Sequence, residues 1–265
     1  MQLLLGFLIA VVIAYAAYRA KSLNRSGALA AIVVGTIVFG IGGWRWAVLL
    51  LTFFISSSVL TRAFKKRKFD LNEKFSKGGQ RDAGQVLGNG GLATLFAGLT
   101  FFYPDDPRLW LGFAAALAAS NADTWATELG VLNPHPPRLI THPTRVVEKG
   151  TSGGISFVGT LAALAGGGLI GVLAGLLNPG GISWSTMLLV TLAGLFGSLF
   201  DSLLGATVQA IYRCPSCDKE TEQHPIHSCG MPTTQIRGWK WLDNDWVNFG
   251  CGAFAVIVTL LFLIR

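Results

Sequence analysis

Charge is scarce in this sequence. Only 13% of its 265 residues are Asp, Glu, Lys or Arg, while 51% are hydrophobic and 33 are glycine. A soluble domain carries about a quarter charged residues, so half that share with a mean hydropathy of +0.52 points to lipid as the surrounding solvent. The apolar content excludes a disordered chain. Cysteine is also scarce. The four lie at 214, 217, 229 and 251, three of them in one loop, which excludes a disulfide scaffold. No basic residue precedes the first apolar run, whereas Arg19, Lys21 and Arg25 follow it, the reverse of a signal peptide. The chain carries 21 Lys+Arg against 14 Asp+Glu. In a soluble protein that excess would suggest nucleic acid; in a membrane protein it sets orientation, and no nucleic-acid partner is expected.

What is present is a series of low-charge stretches near the ~20 residues that cross a bilayer. They fall at 2–18, 26–43, 46–61, 88–103, 109–122, 154–177, 184–209 and 247–264. The expected fold is an all-α, polytopic membrane helix bundle of about eight transmembrane helices, one integral-membrane domain over 1–265. Segments 88–103 and 109–122 are short. They are either a re-entrant hairpin or longer helices whose polar ends line a site. Eighteen of the 21 Lys and Arg lie in the alternate loops 19–25, 62–87, 123–153 and 210–246, leaving Arg45, Arg108 and Arg265 on the other side. The positive-inside rule makes the first set cytoplasmic and puts both termini outside, in the cell membrane. The run Arg62–Lys68 reads as an orientation signal that contacts anionic membrane lipid. Tryptophans 44, 46, 110, 184, 239, 241 and 246 fall at expected interfaces, and the span glycines permit close helix packing.

The outer loops read as plain turns, and the chemistry gathers at the cytoplasmic helix ends. Asp123 and Glu128 lie in Ser-Asn-Ala-Asp-Thr-Trp-Ala-Thr-Glu-Leu-Gly (120–130), Asp201 in Gly-Ser-Leu-Phe-Asp-Ser-Leu-Leu-Gly (197–205), and Asp245 opens the last span. A carboxylate within or bordering a span is costly unless paired or solvated, so its default reading is functional. Carboxylates suit Mg²⁺, which is held by one or two of them together with substrate phosphates. Lys149, Gly150, Thr151, Ser152, Gly153 and Gly154 lead into the sixth span as a glycine-rich turn suited to phosphate at a helix N-terminus. Arg145 lies upstream, and Asn89 stands at the fourth span. The turn is not a P-loop, since the lysine precedes the glycines and no strand precedes the turn. No nucleophilic triad is visible. Cys214-Pro-Ser-Cys217 followed by His224, His227 and Cys229 outlines a structural Zn²⁺ site of three cysteines with either His227 or His224; free thiols are the alternative.

Asn-Gly-Gly (89–91), residues 120–130, Lys-Gly-Thr-Ser-Gly-Gly-Ile-Ser (149–156), Gly-Ser-Leu-Phe-Asp-Ser-Leu-Leu-Gly-Ala-Thr-Val-Gln (197–209) and Asn-Asp-x-Val-Asn (244–248) resemble the "domain of unknown function 92" integral-membrane family. That group includes animal transmembrane protein 19 and phytyl-phosphate kinase of plants and cyanobacteria. The resemblance implies conversion of an isoprenoid monophosphate to its diphosphate with CTP or ATP as donor. By matched motif, Asp123, Glu128, Asp201 and Asp245 would be metal or catalytic acids, with Lys149, Thr151, Ser152, Gly153, Gly154 and Asn89 holding phosphates. The expected function is thus a Mg²⁺-dependent phytyl- or polyprenyl-phosphate kinase acting at the cytoplasmic face. A transporter or flippase of a phosphorylated lipid or organic anion is the alternative from another class, and a lipid-phosphate cytidylyltransferase would need the same groups.

Overall fold

Asn24, Asp82, Asp106, Ser156, Ser183 and Asp243 each stand immediately before a long apolar stretch, as helix caps do. In the computed structural model, which describes residues 1–64 and 79–263, each accepts a hydrogen bond from a backbone N–H in the first turn of a helix. The helices are α1 (Gln2–Arg19), α2 (Arg25–Ile37, prolonged by a π-helical turn over Val38–Gly42), α3 (Trp44–Ala63), α4 (Ala83–Leu99), α5 (Pro107–Gly130), α6 (Phe157–Leu176), α7 (Trp184–Thr207) and α8 (Asn244–Leu263). The chain is a mostly helical, multi-pass membrane protein. Among the described residues, six helices are long and apolar enough to cross a bilayer by themselves: α1, α2 with its π turn, α3, α6, α7 and α8. Lys65–Lys68 of the basic run, Lys74, Lys77 and Arg265 lie outside the described residues.

α5 is the centre of the bundle. Residues Leu109 through Ala122 are all buried, and α3, α4, α6, α7 and α8 all pack against it. The sequence limits of 109–122 were too short: the helix continues through 123–130, so those residues are not loop. α4 and α5 are helices of 17 and 24 residues that extend past the sequence limits into the polar positions 83–87 and 123–130. Two tryptophans also depart from the interfacial expectation. Trp46 and Trp110 are buried, with ring centroids 5.2 Å apart, and Trp110 Nε1 donates to the Ala174 carbonyl at 3.1 Å. Their position near a helix start suits a membrane belt, but it equally suits a core when the helix is enclosed on all sides. Trp44, Trp184, Trp239, Trp241 and Trp246 are exposed.

Contacts fix which ends lie together. Thr61 of α3 meets Glu128 of α5, Gly88 of α4 meets Asp245 of α8, and Gly153 meets Ala206 at the end of α7. Arg62 donates to Ala20 and Ser22, and Arg81 exchanges backbone bonds with Ser22 and Asn24. One end of the bundle therefore carries all the longer connections. Two small antiparallel sheets lie there: β1 (Arg138–Leu139), β2 (His142–Val146) and β3 (Gly154–Ile155) in order β2-β1-β3, and β4 (Ile211–Cys214), β5 (Lys219–Thr221) and β6 (Thr234–Arg237) in order β5-β4-β6.

Candidate functional site

Glycine brings three helices close enough to share a site. A Cβ on Gly197 of α7 would lie 2.6 Å from Ala119 Cβ of α5 and 3.3 Å from Ala255 Cβ of α8, so only hydrogen allows that approach. One helical turn toward the loop-rich end, the same faces carry Asp123, Asp201 and Cys251. The three are within electrostatic reach of one another. Asp201 Oδ2 is buried with no hydrogen-bond partner among the described residues. Two neighbouring carboxylates with a buried, unsatisfied oxygen form a high-cost arrangement, since each desolvated charge costs several kcal/mol. A hard divalent cation such as Mg²⁺ fits this donor set, because it neutralises both charges and accepts oxygen ligands. Both acids lie about 10 Å inside the loop-rich ends of their helices, at 1.5 Å per residue.

Neighbouring helices add polar groups. Asp245, on the first turn of α8, has a buried oxygen, and its backbone carbonyl would lie 2.7 Å from a Cβ on Gly88. Asn248, one turn further on, is buried. Ser120 Oγ donates to the Asn89 carbonyl at 2.8 Å, tying α5 to α4, while Asn89 Nδ2 donates to the Gln85 carbonyl. Two contributors were not visible in the sequence. Glu222, next to β5, is within electrostatic reach of Asp201, and its Oε1 accepts from the buried Gln209 Nε2 at 3.0 Å. Arg237, at the end of β6, donates to the Gly205 carbonyl at 3.0 Å and lies within electrostatic reach of exposed Arg145 on β2. Burial lowers the Arg237 pKa; Glu220 opposes that and Arg145 adds to it. No local motif marks either residue, because both reach the site through the folding of a loop back onto α7.

Other foreseen residues take different places. Glu128 is five residues beyond Asp123, about 140° around the helix. Its Oε1 accepts from Thr61 at 2.9 Å, and its charge acts on Arg81. Burial pulls the Arg81 pKa down to about 10, and Glu128 opposes the fall. Asn121 shares that face. It is fully buried, accepts from Ser56 and Ser57 and donates to the Gly166 carbonyl, joining α3, α5 and α6.

The glycine-rich turn does not open a helix directly. Gly154 belongs to β3, and α6 begins at Phe157 behind its own cap, Ser156. Thr151 and Gly154 N–H groups donate to the Glu148 and Thr151 carbonyls, and Ser152 Oγ donates to Gln209 Oε1 at 2.6 Å. The helix starts of α4 and α8 are likewise capped from within the chain, by Asp82 in a capping box with Gln85 and by Asp243. Each cap takes one or two of the first four N–H groups, so these N-termini offer fewer bare N–H groups than an uncapped helix start would. Gly150 and Gly153 are left-handed, at φ 79° and 84°.

Lys149 Nζ donates to the Val131 and Asn133 carbonyls at 3.1 and 2.7 Å, at the C-terminal end of α5 where a cation complements the helix dipole. Lys149→Ala is expected to lower stability by about 1 kcal/mol. A thermal-unfolding series in detergent checks this. Unchanged stability with impaired substrate use would instead make Lys149 a ligand group.

A narrow apolar cavity of about 70 Å³ lies among α1, α2, α3 and α4. Val34, Phe39 and Phe53 line it, and Arg81, Gln85 and Asn89 form its polar end.

Comparison with known proteins places these features in a family context. The family described as integral membrane protein DUF92 matches residues 8–256. Protein PGR of Arabidopsis thaliana is 36% identical, over 94% of this chain and 91% of its own length. An uncharacterized membrane protein of Methanocaldococcus jannaschii is 36% identical over 77% of this chain and 82% of its own. The chloroplastic protein VTE6 of Arabidopsis thaliana is 24% identical over 92% of this chain and 67% of its own. No solved structure matches.

Proposed function

The chain belongs to the DUF92 integral membrane protein family, and from that premise we propose that it is a membrane-embedded isoprenoid (phytyl or polyprenyl) monophosphate kinase. The observation that carries the reading is the Asp123–Asp201 pair, set at the junction of α5, α7 and α8, with Asp201 Oδ2 buried and without a hydrogen-bond partner among the described residues. Phosphoryl transfer needs positioning and charge neutralisation more than covalent chemistry, and this is what such a pair supplies. In the reaction an oxygen of the lipid monophosphate attacks the terminal phosphorus of the nucleoside triphosphate. One P–O bond forms, the bond to the β-phosphate oxygen breaks, and the nucleoside diphosphate leaves.

Asp123 and Asp201 would hold the divalent cation, with Asp245 and Asn248 beside them on α8. Mg²⁺ bound there would neutralise charge on the donor phosphates. Arg145 and Arg237, two cations near each other past the end of α7, suit a triphosphate chain lying outward of the acids. Asn89 and the turn Gly150–Gly154 border the same end. The apolar cavity, with Arg81, Gln85 and Asn89 in its lining, suits part of a prenyl tail whose phosphate lies against these polar groups. The face concerned is the cytoplasmic one by charge distribution.

The test uses purified protein with Mg²⁺, labelled CTP or ATP, and geranylgeranyl or phytyl phosphate. The expected product is the lipid diphosphate, formed only with Mg²⁺. Folded protein that turns over no donor with any chain length would overturn the proposal, and a nucleotide left on the lipid would mean a cytidylyltransferase. The depth of the two acids, about 10 Å inside the helix ends, gives a transporter or flippase a specific argument as well. Labelled prenyl phosphate crossing proteoliposomes without chemical change would favour that alternative.

A further inference from the structure

The segment between α7 and α8 contains a cluster that the proposed chemistry does not use. Cys214, Cys217, His227 and Cys229 each direct one ligand atom into a common space, all four atoms within 4.8 Å of one another. Cys214 Sγ and Cys229 Sγ are 3.5 Å apart, Cys217 Sγ and His227 Nδ1 3.8 Å, and His227 Nδ1 and Cys229 Sγ 3.1 Å. Zinc bonds of about 2.3 Å to sulfur and 2.0–2.1 Å to nitrogen, at tetrahedral angles, require S···S edges of about 3.8 Å and S···N edges of about 3.6 Å. The three observed edges are each within about 0.5 Å of those values, and no pair exceeds 4.8 Å. All four cysteines of the chain are free thiols.

The backbone is shaped for the same purpose. Each half of the cluster is a tight turn closed by a left-handed residue just after a cysteine: Asp218 at φ 52° after Cys217, and Gly230 at φ 86° after Cys229. Backbone N–H groups of Ser216 and Cys217 point at Cys214 Sγ, as donors do around a metal-bound thiolate. His227 is 2% exposed, its Nε2 is buried with no hydrogen-bond partner among the described residues, and its Nδ1 faces sulfur. Thiols are weak partners for a buried imidazole. A cation at the centre offsets that loss. His224, the other histidine of the loop, is turned away and stacks on Tyr212 with ring centroids 4.4 Å apart.

We propose that these four residues bind one zinc ion, which staples the 208–243 segment into its fold. Thiolate ligands in a tetrahedral set with imidazole select zinc over the hard cations suited to the carboxylate site. The staple joins the end of β4 to the loop before β6, and from this unit Glu222 reaches Gln209 and Arg237 reaches Gly205. The assignment does not depend on the kinase reading.

Elemental analysis of the purified full chain is expected to give near one zinc per chain. Cys214→Ser with Cys217→Ser should lower this to below about a tenth, and Cys251→Ser, in α8, should leave it unchanged. Cobalt exchange on the wild type is expected to give the visible absorption of tetrahedral cobalt–thiolate, a readout that needs no variant to fold. Chelation should speed tryptic cleavage after Arg213, Lys219, Arg237 or Lys240 by roughly tenfold. Wild type that retains neither zinc nor cobalt under reducing conditions, or that holds stoichiometric iron instead, would overturn the zinc site. Cleavage unaffected by chelation would overturn the staple.

Discussion

Asp201→Asn and Asp123→Asn are each expected to reduce turnover by at least about 10²-fold, while the protein still accumulates in the membrane and unfolds at an unchanged or slightly higher temperature. The two halves of this expectation come from one arrangement. Asn keeps the shape of Asp, so the packing of α5, α7 and α8 set by Gly197, Ala119 and Ala255 is undisturbed. Removing one of two neighbouring carboxylates also relieves repulsion between them in a medium of low polarity. An acid kept only for stability would behave in the opposite way, its loss leaving partners unsatisfied and costing 1–3 kcal/mol. Thermal unfolding and Mg²⁺ titration of the residual rate separate the cases, since a weakened cation site needs more Mg²⁺ for half-maximal rate. Full turnover in both variants would show that the site lies elsewhere.

Gly153→Val is expected to damage the fold at the loop-rich end severely. At φ 84° a residue with a Cβ is strained by about 1–2 kcal/mol. A Cβ there would also stand 2.5 Å from both the backbone nitrogen and Cβ of Ala206, and overpacking adds about 1–3 kcal/mol. Because Ala206 sits on α7 just after Gly205, the chain around 150–154 cannot yield without lifting off the helix end. Gly181 is the control. Its φ is 99°, but nothing lies within 4 Å of its would-be Cβ, so Gly181→Ala carries the backbone strain alone. Heat-induced loss of monodisperse protein in detergent should show a clear drop for Gly153→Val and a small one for Gly181→Ala. Equal, small losses would mean that the turn is not seated on α7.

The spans and their grouping were readable from sequence because lipid enforces both: a stretch must be long and apolar enough to cross, and basic residues sort to one side. That Asp123 and Asp201 lie near each other was foreseeable because both fall at the same end of spans that run in the same direction. Polar residues near helix ends were harder to place. In sequence Lys149 reads as a phosphate-binding group, yet it caps the end of α5, and Ser156, which closes the glycine-rich stretch, caps its own helix. Glu128 seemed to belong with Asp123 because they are close in sequence; helical pitch turns it toward α3. Trp46 and Trp110 met the description of a membrane belt because nothing local reveals that α5 is enclosed. Choosing His227 over His224 required the turn geometry of the loop.

The burial of α5 bears on how the protein is made. This helix carries Asp123 and Glu128, and it is not among the six that are apolar enough to cross by themselves. Apolar neighbours enclose it, and two of the most intimate, α6 and α7, follow it in the chain. A segment that gains little by leaving water alone settles in the bilayer only as its partners arrive to shield it. Its threading is therefore a late act of assembly, directed by later-translated sequence, and lesions in α6 or α7 reach the acidic centre by leaving α5 without a place to insert.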